Sequence, residues 1–416
     1  MTVKADKRAK AKKAEIKPPL YVDSDQALGQ LVRNLRQQHA IAVDTESNPL
    51  FAYRERLCLI QISTSQRDYI VDPLAGINLD TLVPVFADPG ILKIFHDAEF
   101  DVLMLKRAHA FEFGAIFDTK VAVTSLGYST IGLAPLLQTF YGVTLDKKLQ
   151  RSDWGRRPLS DEQLDYASKD THYLLSLAEK LRQELHEHGE LNCLEVAAEC
   201  RRLEGLIPEN RVFSPDEFVK IKGSDDLTGR ERRVLRELFV MRHRIADQLN
   251  RPAFKVLSND VLIRLARSQP ESEDALRRSK ILSPKVRAQR GEEVLSTIRR
   301  ARKLNPVAAP KLPRMQNEVT RLNEEQRVAY ESLRIWRKTA ATERDTEASL
   351  VLQRGTMLEL SRLRPRPQDL AGLAASGLLE PWRIRYYGDD ILRALNDPGR
   401  RRGERRRRRA GKDRNA

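Results

Sequence analysis

Short apolar segments and amphipathic segments alternate along the first third of the chain. The apolar segments are rich in Ile and Val and are bounded by polar or proline-containing breaks, a pattern that predicts strands, whereas the amphipathic ones have helical spacing. In chain order they predict strands at 40–45, 57–64 and 68–73, a helix at 79–89, a strand at 91–97, a helix at 100–108 and a strand-to-helix passage at 116–122. This order predicts an α/β domain with a mixed sheet.

The sequence changes character near residue 225, where strand patterns give way to helical patterns, and this helical part repeats itself. Residues 253–267 align with residues 348–362 at an offset of 95, and residues 291–298 align with residues 388–395 at an offset of 97. A slip of two residues is what a loop insertion between helices produces. The repeat therefore predicts two copies of one small helical domain, joined by a proline-rich stretch.

The charge distribution divides the chain in the same places. The net charge is +16, to which residues 1–18 contribute +5, residues 19–210 contribute −9, residues 211–398 contribute +12 and residues 399–416 contribute +8. Basic segments favour polyanionic partners, and the Arg-rich C-terminus has no apolar periodicity on which to fold, so we expect it to be disordered. The predicted organisation is a basic arm at 1–18, an α/β domain at 19–210, a helical domain at 225–303, a linker at 304–320, a second helical domain at 321–397 and an Arg-rich tail at 398–416.

Composition limits the location of the protein. No stretch approaches the ~18 uninterrupted apolar residues that a membrane-spanning helix requires, and the N-terminal residues lack the apolar core of a secretion signal. The three cysteines, Cys58, Cys193 and Cys200, are irregularly spaced and indicate no zinc site. We therefore expect a cytoplasmic protein with no membrane partner.

Two carboxylates end the first predicted strand. Asp44 and Glu46 are two residues apart in the segment IAVDTE, so in a strand their side chains lie on the same face. Two like charges this close repel each other unless a positive group lies between them. The pattern therefore predicts a cation-binding site at the end of this strand.

Two further acidic motifs lie downstream. The first includes Asp101 and stands where a predicted strand turns into a helix. The second follows Ser160 and Gln163, which form the capping-box pattern of a helix start. Tyr166 and Asp170 then lie four residues apart, on one face of that helix.

In the order and context of these motifs, the sequence resembles the ribonuclease D family of 3′→5′ exonucleases, within the DEDD superfamily. Tyr166 is typical of the tyrosine subclass. Residues 142–160 resemble the family's passage before the third motif, and the repeated helical units resemble the HRDC module. The resemblance implies an α/β ribonuclease H-like exonuclease domain with a mixed sheet, followed by two small all-α HRDC bundles.

The resemblance also implies a catalytic site. Its metal ligands are Asp44, Glu46, Asp101 and Asp170, and its two cations are Mg²⁺ or Mn²⁺, which prefer oxygen ligands. Asp44, Glu46 and Asp170 are expected to hold the ion that activates water, with Asp44 bridging to a second ion that Asp101 helps to bind directly or through water. Tyr166, one helical turn from Asp170, is expected to orient the attacking water.

A basic loop precedes the third motif within the otherwise acidic domain. Its five cations are candidates for contact with substrate phosphates, and a solvated loop is the alternative explanation. They are Lys147, Lys148, Arg151, Arg156 and Arg157.

The leading hypothesis is a 3′→5′ exoribonuclease that releases nucleoside 5′-monophosphates. Its expected partner is RNA with a free 3′ end, with tRNA precursors as the substrate class, and we expect a monomer. A 3′→5′ DNA exonuclease is the first alternative, because no motif of the sequence reads a 2′-hydroxyl. The second is a catalytically silent nucleic-acid-binding protein, against which the intact acidic motifs argue.

Overall fold

The computed structural model describes residues 17–146, 148–209, 212–308 and 318–396. Most of the predicted basic arm, the central part of the predicted linker and the Arg-rich tail therefore lie outside the described residues.

The first part of the chain forms a six-stranded mixed sheet, as predicted. The strand order is β1-β4-β3-β2-β5-β6; β2 and β4 each pair antiparallel with β3, and the other neighbours are parallel. The strands are β1 (Leu20–Val22), β2 (Ala40–Ser47), β3 (Leu57–Ser63), β4 (Asp68–Val71), β5 (Leu92–Phe95) and β6 (Ile116–Asp118). Strand β2 lies between β3 and β5, so its C-terminal end opens at the middle of the sheet.

Eight helices accompany this sheet in the described part of the chain. They are α1 (Asp25–Leu35), α2 (Val83–Ala87), α3 (Glu99–Ala108), α4 (Thr119–Ser125), α5 (Leu133–Tyr141), α6 (Asp161–His172), α7 (Leu174–His188) and α8 (Glu190–Glu204). The predicted helix at 79–89 is divided into a 3₁₀ turn at Leu79–Leu82 and the short helix α2. Pro84 lies in the first turn of α2, where its missing N–H costs no intrahelical hydrogen bond.

Burial explains why the strand predictions succeeded. All seven residues of β3 are buried, because the strand is covered on both faces, and its sequence is accordingly almost uninterrupted in apolar residues. The short strand β1 was not predicted, since only Val22 of its three residues is buried and no alternation is visible.

The second part of the chain contains two helical units of the same design. The first helical unit consists of α9 (Gly229–Gln248), α10 (Ala253–Val256), α11 (Asn259–Ser268), α12 (Glu273–Ser279) and α13 (Pro284–Arg302). The second helical unit consists of α14 (Glu324–Glu343), α15 (Ala348–Val351), α16 (Arg354–Arg362), α17 (Leu370–Ala375) and α18 (Pro381–Asn396). Each unit has its own hydrophobic core.

A pair of matching arginines supports the internal repeat. Arg242 donates a hydrogen bond from Nη1 to the carbonyl of Leu257 at 3.1 Å, and Arg337 donates from Nη1 to the carbonyl of Leu352 at 2.9 Å. Both donors and both acceptors are related by the offset of 95. Each arginine thus joins the first long helix of its unit to the turn that follows the short second helix.

The core of the first helical unit also includes residues upstream of the predicted boundary at 225. Phe218, Val219 and Ile221, in and after a 3₁₀ turn at Pro215–Lys220, are buried and belong to the same hydrophobic cluster as α9. The turn carries no helical periodicity in the sequence, which explains why the pattern alone placed the start later.

Candidate active site

Strand β2 presents the first two acidic side chains. Asp44 pairs with Gln61 and Glu46 with Leu59 of β3, so both carboxylates lie on one face near the end of the strand. The ladder register shifts between Glu46 and Ser47. The carboxylates therefore stand where regular pairing ends and the backbone can turn away.

Helix α6 supplies the third carboxylate to the same place. Ser160 and Gln163 form the predicted capping box, each side chain bonded to the other residue's backbone N–H. The helix packs against β2, β3 and β4. Ligand oxygens of Asp44, Glu46 and Asp170 all lie within 4.8 Å of one another.

Asp101, in the first turn of α3, lies next to these three carboxylates but is held differently. Its Oδ1 accepts a hydrogen bond from Thr45 Oγ1 at 2.5 Å, and its side chain is buried. Thr45 lies between Asp44 and Glu46 in sequence and faces the other side of the strand. The structure thus brings together three of the four predicted metal ligands and places the fourth beside them, bonded to a threonine.

The electrostatics of the cluster favour the binding of a cation or of protons. Burial, together with the neighbouring carboxylates Asp44, Asp170 and Asp101, raises the pKa of Glu46 to about 10. Burial and the charge of Asp170 likewise raise the pKa of Asp44, and burial raises the pKa of Asp170 to about 7. None of the four acidic residues is in an ion pair with a Lys or Arg of the described residues. Buried like charges without a positive partner are unfavourable unless they hold a metal or protons.

The donor set fits a divalent metal ion. Every candidate ligand atom is a carboxylate oxygen, which is the ligand type that Mg²⁺ and Mn²⁺ prefer. No histidine or cysteine shares this cluster, so the ligands do not match a zinc site.

Tyr166 lies one helical turn before Asp170 and is fixed by packing. Its ring contacts the buried Trp154, with 6.1 Å between ring centroids, and its hydroxyl lies near the Asp170 carboxylate, whose pKa it lowers. Burial and the nearby carboxylates raise its pKa, so the hydroxyl keeps its proton. It can therefore donate one hydrogen bond at the metal-binding carboxylates.

The basic loop before α6 contains two kinds of arginine. Lys148, Arg151 and Arg156 are exposed, and Lys147 lies outside the described residues. Arg157 instead forms a two-bond ion pair with Asp72, from Nε and Nη2, each at 2.6 Å. In the structure, Arg157 thus forms an ion pair inside the domain, which differs from the predicted contact with substrate phosphate.

Further hydrogen bonds hold Arg157 in place. It donates to the carbonyls of Trp154 at 2.8 Å and Cys58 at 2.9 Å. These bonds join the loop to β3 and to Trp154, which packs against Tyr166. Arg157 therefore helps to hold the elements around the site in place.

Sequence reasoning missed Thr45 and Asp72. Thr45 fixes Asp101 across 56 residues, and Asp72 fixes Arg157 across 85 residues. Neither residue belongs to a local pattern. The only available signal was a polar residue between the two carboxylates of an otherwise apolar strand.

Comparison with known proteins agrees with the fold and with the order of the domains. A family model described as 3′-5′ exonuclease matches residues 19–186, and the HRDC domain model matches residues 231–298 and 326–395. Ribonuclease D of Gluconacetobacter diazotrophicus is 28% identical over 400 residues, which are 94% of this chain and 95% of that protein. The crystal structure of the catalytic core of RRP6 from Trypanosoma brucei matches with a TM-score of 0.62 and 30% identity, over 68% of this chain and 79% of that one.

Other relatives are longer than this chain. The exosome complex exonuclease RRP6 of Saccharomyces cerevisiae is 35% identical over 265 residues, which are 61% of this chain and 36% of that protein. The chain spans about a third or less of the length of the exosome-type curated relatives that it matches.

Fold, carboxylate cluster and helical repeat together define a 3′-5′ exonuclease domain followed by two HRDC domains. The chain belongs to the ribonuclease D family. The exonuclease domain family depends on divalent metal ions. Among the described residues, no helix is long and apolar enough to cross a membrane.

Proposed function

We propose that this protein is a 3′→5′ exoribonuclease that removes nucleoside 5′-monophosphates one at a time from an RNA 3′ end. The observation that carries the proposal is the cluster of Asp44, Glu46 and Asp170, whose ligand oxygens lie within 4.8 Å of one another without a protein cation. Closely spaced carboxylates without a compensating cation, of which Asp170 is buried and the other two are partly buried, are typical of a metal-dependent phosphoryl-transfer site.

Each site residue has a distinct role in this proposal. Asp44, Glu46 and Asp170 hold divalent metal, Mg²⁺ or Mn²⁺, with two ions per site and Asp101 as the additional ligand, directly or through water. When bound, the ions neutralise charge on the scissile phosphate and lower the pKa of a water nucleophile. Tyr166 uses its protonated hydroxyl to orient that water, since its ring is fixed against Trp154. Hydrolysis breaks the bond to the 3′ oxygen of the preceding nucleotide, which leaves the chain with a new 3′-hydroxyl.

Binding of the RNA is assigned mainly to other parts of the chain. The exonuclease part, residues 19–210, is acidic, whereas residues 211–398 carry a charge of +12. Counterion release from phosphates therefore favours RNA contact by the helical units. In the exonuclease part, the exposed Lys148, Arg151 and Arg156 remain the proposed phosphate contacts.

We further propose tRNA precursors as the substrate class, a monomeric state and a cytoplasmic location. The three cysteines are unpaired, as in proteins of a reducing compartment. Light scattering tests the monomer. A tRNA precursor with a 3′ trailer, compared with an unstructured RNA of the same length, tests the substrate class.

The activity itself is tested with 5′- and 3′-labelled RNA and DNA strands in Mg²⁺, Mn²⁺ or EDTA. We expect the 5′ label to appear in a ladder of shortening strands and the 3′ label to appear at once in a mononucleotide, with RNA but not in EDTA. Faster cleavage of DNA would instead support the DNA exonuclease alternative. Cleavage that persists in EDTA would refute the metal-dependent site.

A further inference from the structure

The loop between β2 and β3, residues 48–56, directly continues the strand that carries Asp44 and Glu46. Asn48, two residues after Glu46, is 4% exposed and closes this loop. Its Oδ1 accepts a hydrogen bond from the N–H of Arg56 at 3.0 Å, and its carbonyl accepts from the N–H groups of Phe51 and Ala52, each at 3.0 Å. The β2–β3 loop is therefore one closed unit attached to the catalytic strand.

The same loop is bonded to the strand end and to the segment before α6. Ser47 Oγ donates to Glu55 Oε1 at 2.9 Å, next to the register shift at Glu46. Asn48 Nδ2 approaches Gly155 so closely that a Cβ at that position would lie 2.8 Å away. A displacement of the loop would therefore reach both elements that supply carboxylates.

The outer side of the β2–β3 loop is docked on the first helical unit. The N–H of Tyr53 donates to Oδ1 of Asn250 at 3.2 Å, and the Tyr53 hydroxyl is hydrogen-bonded to Nδ1 of His243 at 3.1 Å. Lys255 Nζ lies 4.4 Å from the centroid of the Phe51 ring.

The partner of the Tyr53 hydroxyl is rigidly packed. The His243 ring lies 4.4 Å from the ring of Phe239 and 4.6 Å from the ring of Phe213, measured between centroids. The His243 ring is half-buried, and its two aromatic neighbours limit its alternative positions, so it can hold a hydrogen-bond partner in place.

The ion pair at this interface contributes less. Arg54 donates to both carboxylate oxygens of Asp247, at 3.0 and 3.3 Å, but the two side chains are 76% and 46% exposed. Exposed pairs of this kind contribute little to stability. Tyr53 is therefore the anchor of the contact, and Arg54 provides a matched control in the same loop.

We propose that Tyr53 and Asn48 are positioning residues for the exonuclease site, and that the first helical unit braces the β2–β3 loop through Tyr53. The brace fixes the backbone at Glu46 and thereby the separation of the carboxylates that bind metal. The proposal rests on the function proposed above. It assigns to an HRDC unit a contribution to metal binding and turnover in addition to RNA affinity.

The test compares Tyr53→Ala with Arg54→Ala in the full chain, by Mn²⁺ titration with calorimetry and by single-turnover cleavage at saturating RNA. We expect Tyr53→Ala to weaken Mn²⁺ binding about threefold to tenfold and to slow saturated cleavage about tenfold, because sub-ångström misplacement of catalytic groups is costly. Tyr53→Phe removes only the hydroxyl that is bonded to His243 and keeps the edge contact between the two rings, so it should show a smaller loss of the same sign. Arg54→Ala should change neither quantity.

A second variant protects the test against misfolding of the first. Asn250 has a left-handed backbone (φ 43°), which glycine adopts without strain, so Asn250→Gly removes the acceptor of the Tyr53 N–H and should shift Mn²⁺ binding in the same direction by a smaller factor. Gln353→Ala, which breaks a contact between the second helical unit and Glu199 at 2.6 Å, should leave Mn²⁺ binding unchanged.

The outcomes separate the brace from the proposed function. If Tyr53→Ala and Asn250→Gly both bind Mn²⁺ and cleave within twofold of the wild type, the brace is wrong. If Gln353→Ala weakens Mn²⁺ binding as much as Tyr53→Ala, the effect is general loosening and the brace is again wrong. A wild-type protein that binds Mn²⁺ but cleaves no RNA would overturn the proposed function alone, since the Mn²⁺ titration still reports on the brace.

Discussion

Two groups of acidic side chains in the exonuclease domain have opposite surroundings. At the end of β2, the carboxylates of Asp44 and Glu46 meet Asp170 with no protein cation between them. On α8, the side chain of Glu195 is fully buried, but Arg344 donates to both of its oxygens, at 2.5 and 2.8 Å, and the Tyr387 hydroxyl donates at 2.7 Å.

This difference distinguishes carboxylates that can bind a ligand from carboxylates that stabilise the fold. A buried carboxylate whose lone pairs are taken by an arginine and a tyrosine is satisfied and has no remaining capacity for a ligand. Both partners of Glu195 come from the second helical unit, so this cluster joins two domains. A cluster of carboxylates without such partners is costly for the protein alone, and a bound metal ion or bound protons relieve that cost. Lack of compensation is therefore the better indicator of a catalytic role than burial or acidity.

The largest expected effect is the loss of activity when a carboxylate is removed from the uncompensated cluster, which consists of Asp44, Glu46 and Asp170. Asp44→Asn, Glu46→Gln or Asp170→Asn should slow RNA cleavage by roughly 10³-fold or more, since each removes a ligand from the metal site. Thermal stability without metal should stay equal or rise, because repulsion between carboxylates is relieved. Single-turnover cleavage and thermal melts in EDTA measure the two effects. Turnover near the wild-type rate in any of these variants would contradict the assignment of that residue.

The compensated cluster, which consists of Glu195, Arg344 and Tyr387, should respond in the opposite way to substitution. The protein should lose stability but keep its cleavage activity. The first helical unit has Leu249 at the position that matches Arg344, so Arg344→Leu copies the repeat. The variant leaves Glu195 buried without its cation, which should lower the free energy of unfolding by about 3–5 kcal/mol. Urea unfolding measures the loss, and cleavage per folded molecule should stay close to the wild-type value.

A double variant tests whether the loss comes from the unpaired charge. Arg344→Leu combined with Glu195→Leu removes both ions, and replacing a buried ion pair by apolar groups is often neutral. Recovery of most of the lost stability is expected. A double variant as unstable as the single one would show that packing, rather than the uncompensated carboxylate, causes the effect.

Tyr166→Phe should have an intermediate effect on activity. It deletes the hydroxyl at Asp170 and keeps the ring against Trp154, so the helix should stay in place. We expect cleavage to slow roughly 10–10³-fold, the range of a positioned hydrogen-bonding group, with unchanged RNA affinity. Rates at saturating RNA and filter-binding affinities distinguish the two quantities. An unaltered rate would reduce Tyr166 to a core residue.

The same contrast explains what the sequence could predict. Local spacing places Asp44 beside Glu46 and Tyr166 beside Asp170, because strand period, capping box and helix period each act within a few residues. Their assignment to one catalytic site came from the resemblance to the ribonuclease D family. The mixed sheet and the helical repeat follow from the same kind of signal. Helix α1 was not predicted although Ser24 caps it, because no predicted strand precedes it.

The compensating partners could not be predicted in this way. Glu195 and Arg344 are 149 residues apart, and Asp72 and Arg157 are 85 residues apart. Such pairs are fixed by the way that domains and loops pack, and one sequence carries no local trace of them. The error on Arg157 has this origin, because an arginine in a basic loop looks the same whether it faces solvent or a buried carboxylate.

The adjacent residues Arg156 and Arg157 allow the smallest and sharpest test of the comparison. Arg157→Gln breaks a buried ion pair, and we expect it to lower the free energy of unfolding by about 2–4 kcal/mol with little change in RNA affinity of the folded protein. Arg156→Gln should leave stability within about 0.5 kcal/mol and reduce the salt slope of RNA binding by up to about 0.7, the value for one phosphate contact on a single strand. Urea unfolding and RNA affinity measured against salt give both numbers for each variant.

The pH dependence of stability adds an independent check on Arg157. Burial alone would raise the pKa of Asp72, but the hydrogen bonds from Arg157 and Tyr21 outweigh burial and hold this pKa below its ordinary value of 3.8. A depressed carboxylate pKa stabilises the folded state above the unfolded pKa, and this contribution disappears as the pH falls through the folded value. The stability difference between wild type and Arg157→Gln should therefore be constant near neutral pH and shrink below about pH 4. Two results would contradict this assignment: a stability difference that persists undiminished in acid, or an Arg157→Gln variant that lowers the salt slope of RNA binding as Arg156→Gln does. Either result would support a contact between Arg157 and RNA. It would also weaken the rule that a buried carboxylate with a compensating cation has a structural role.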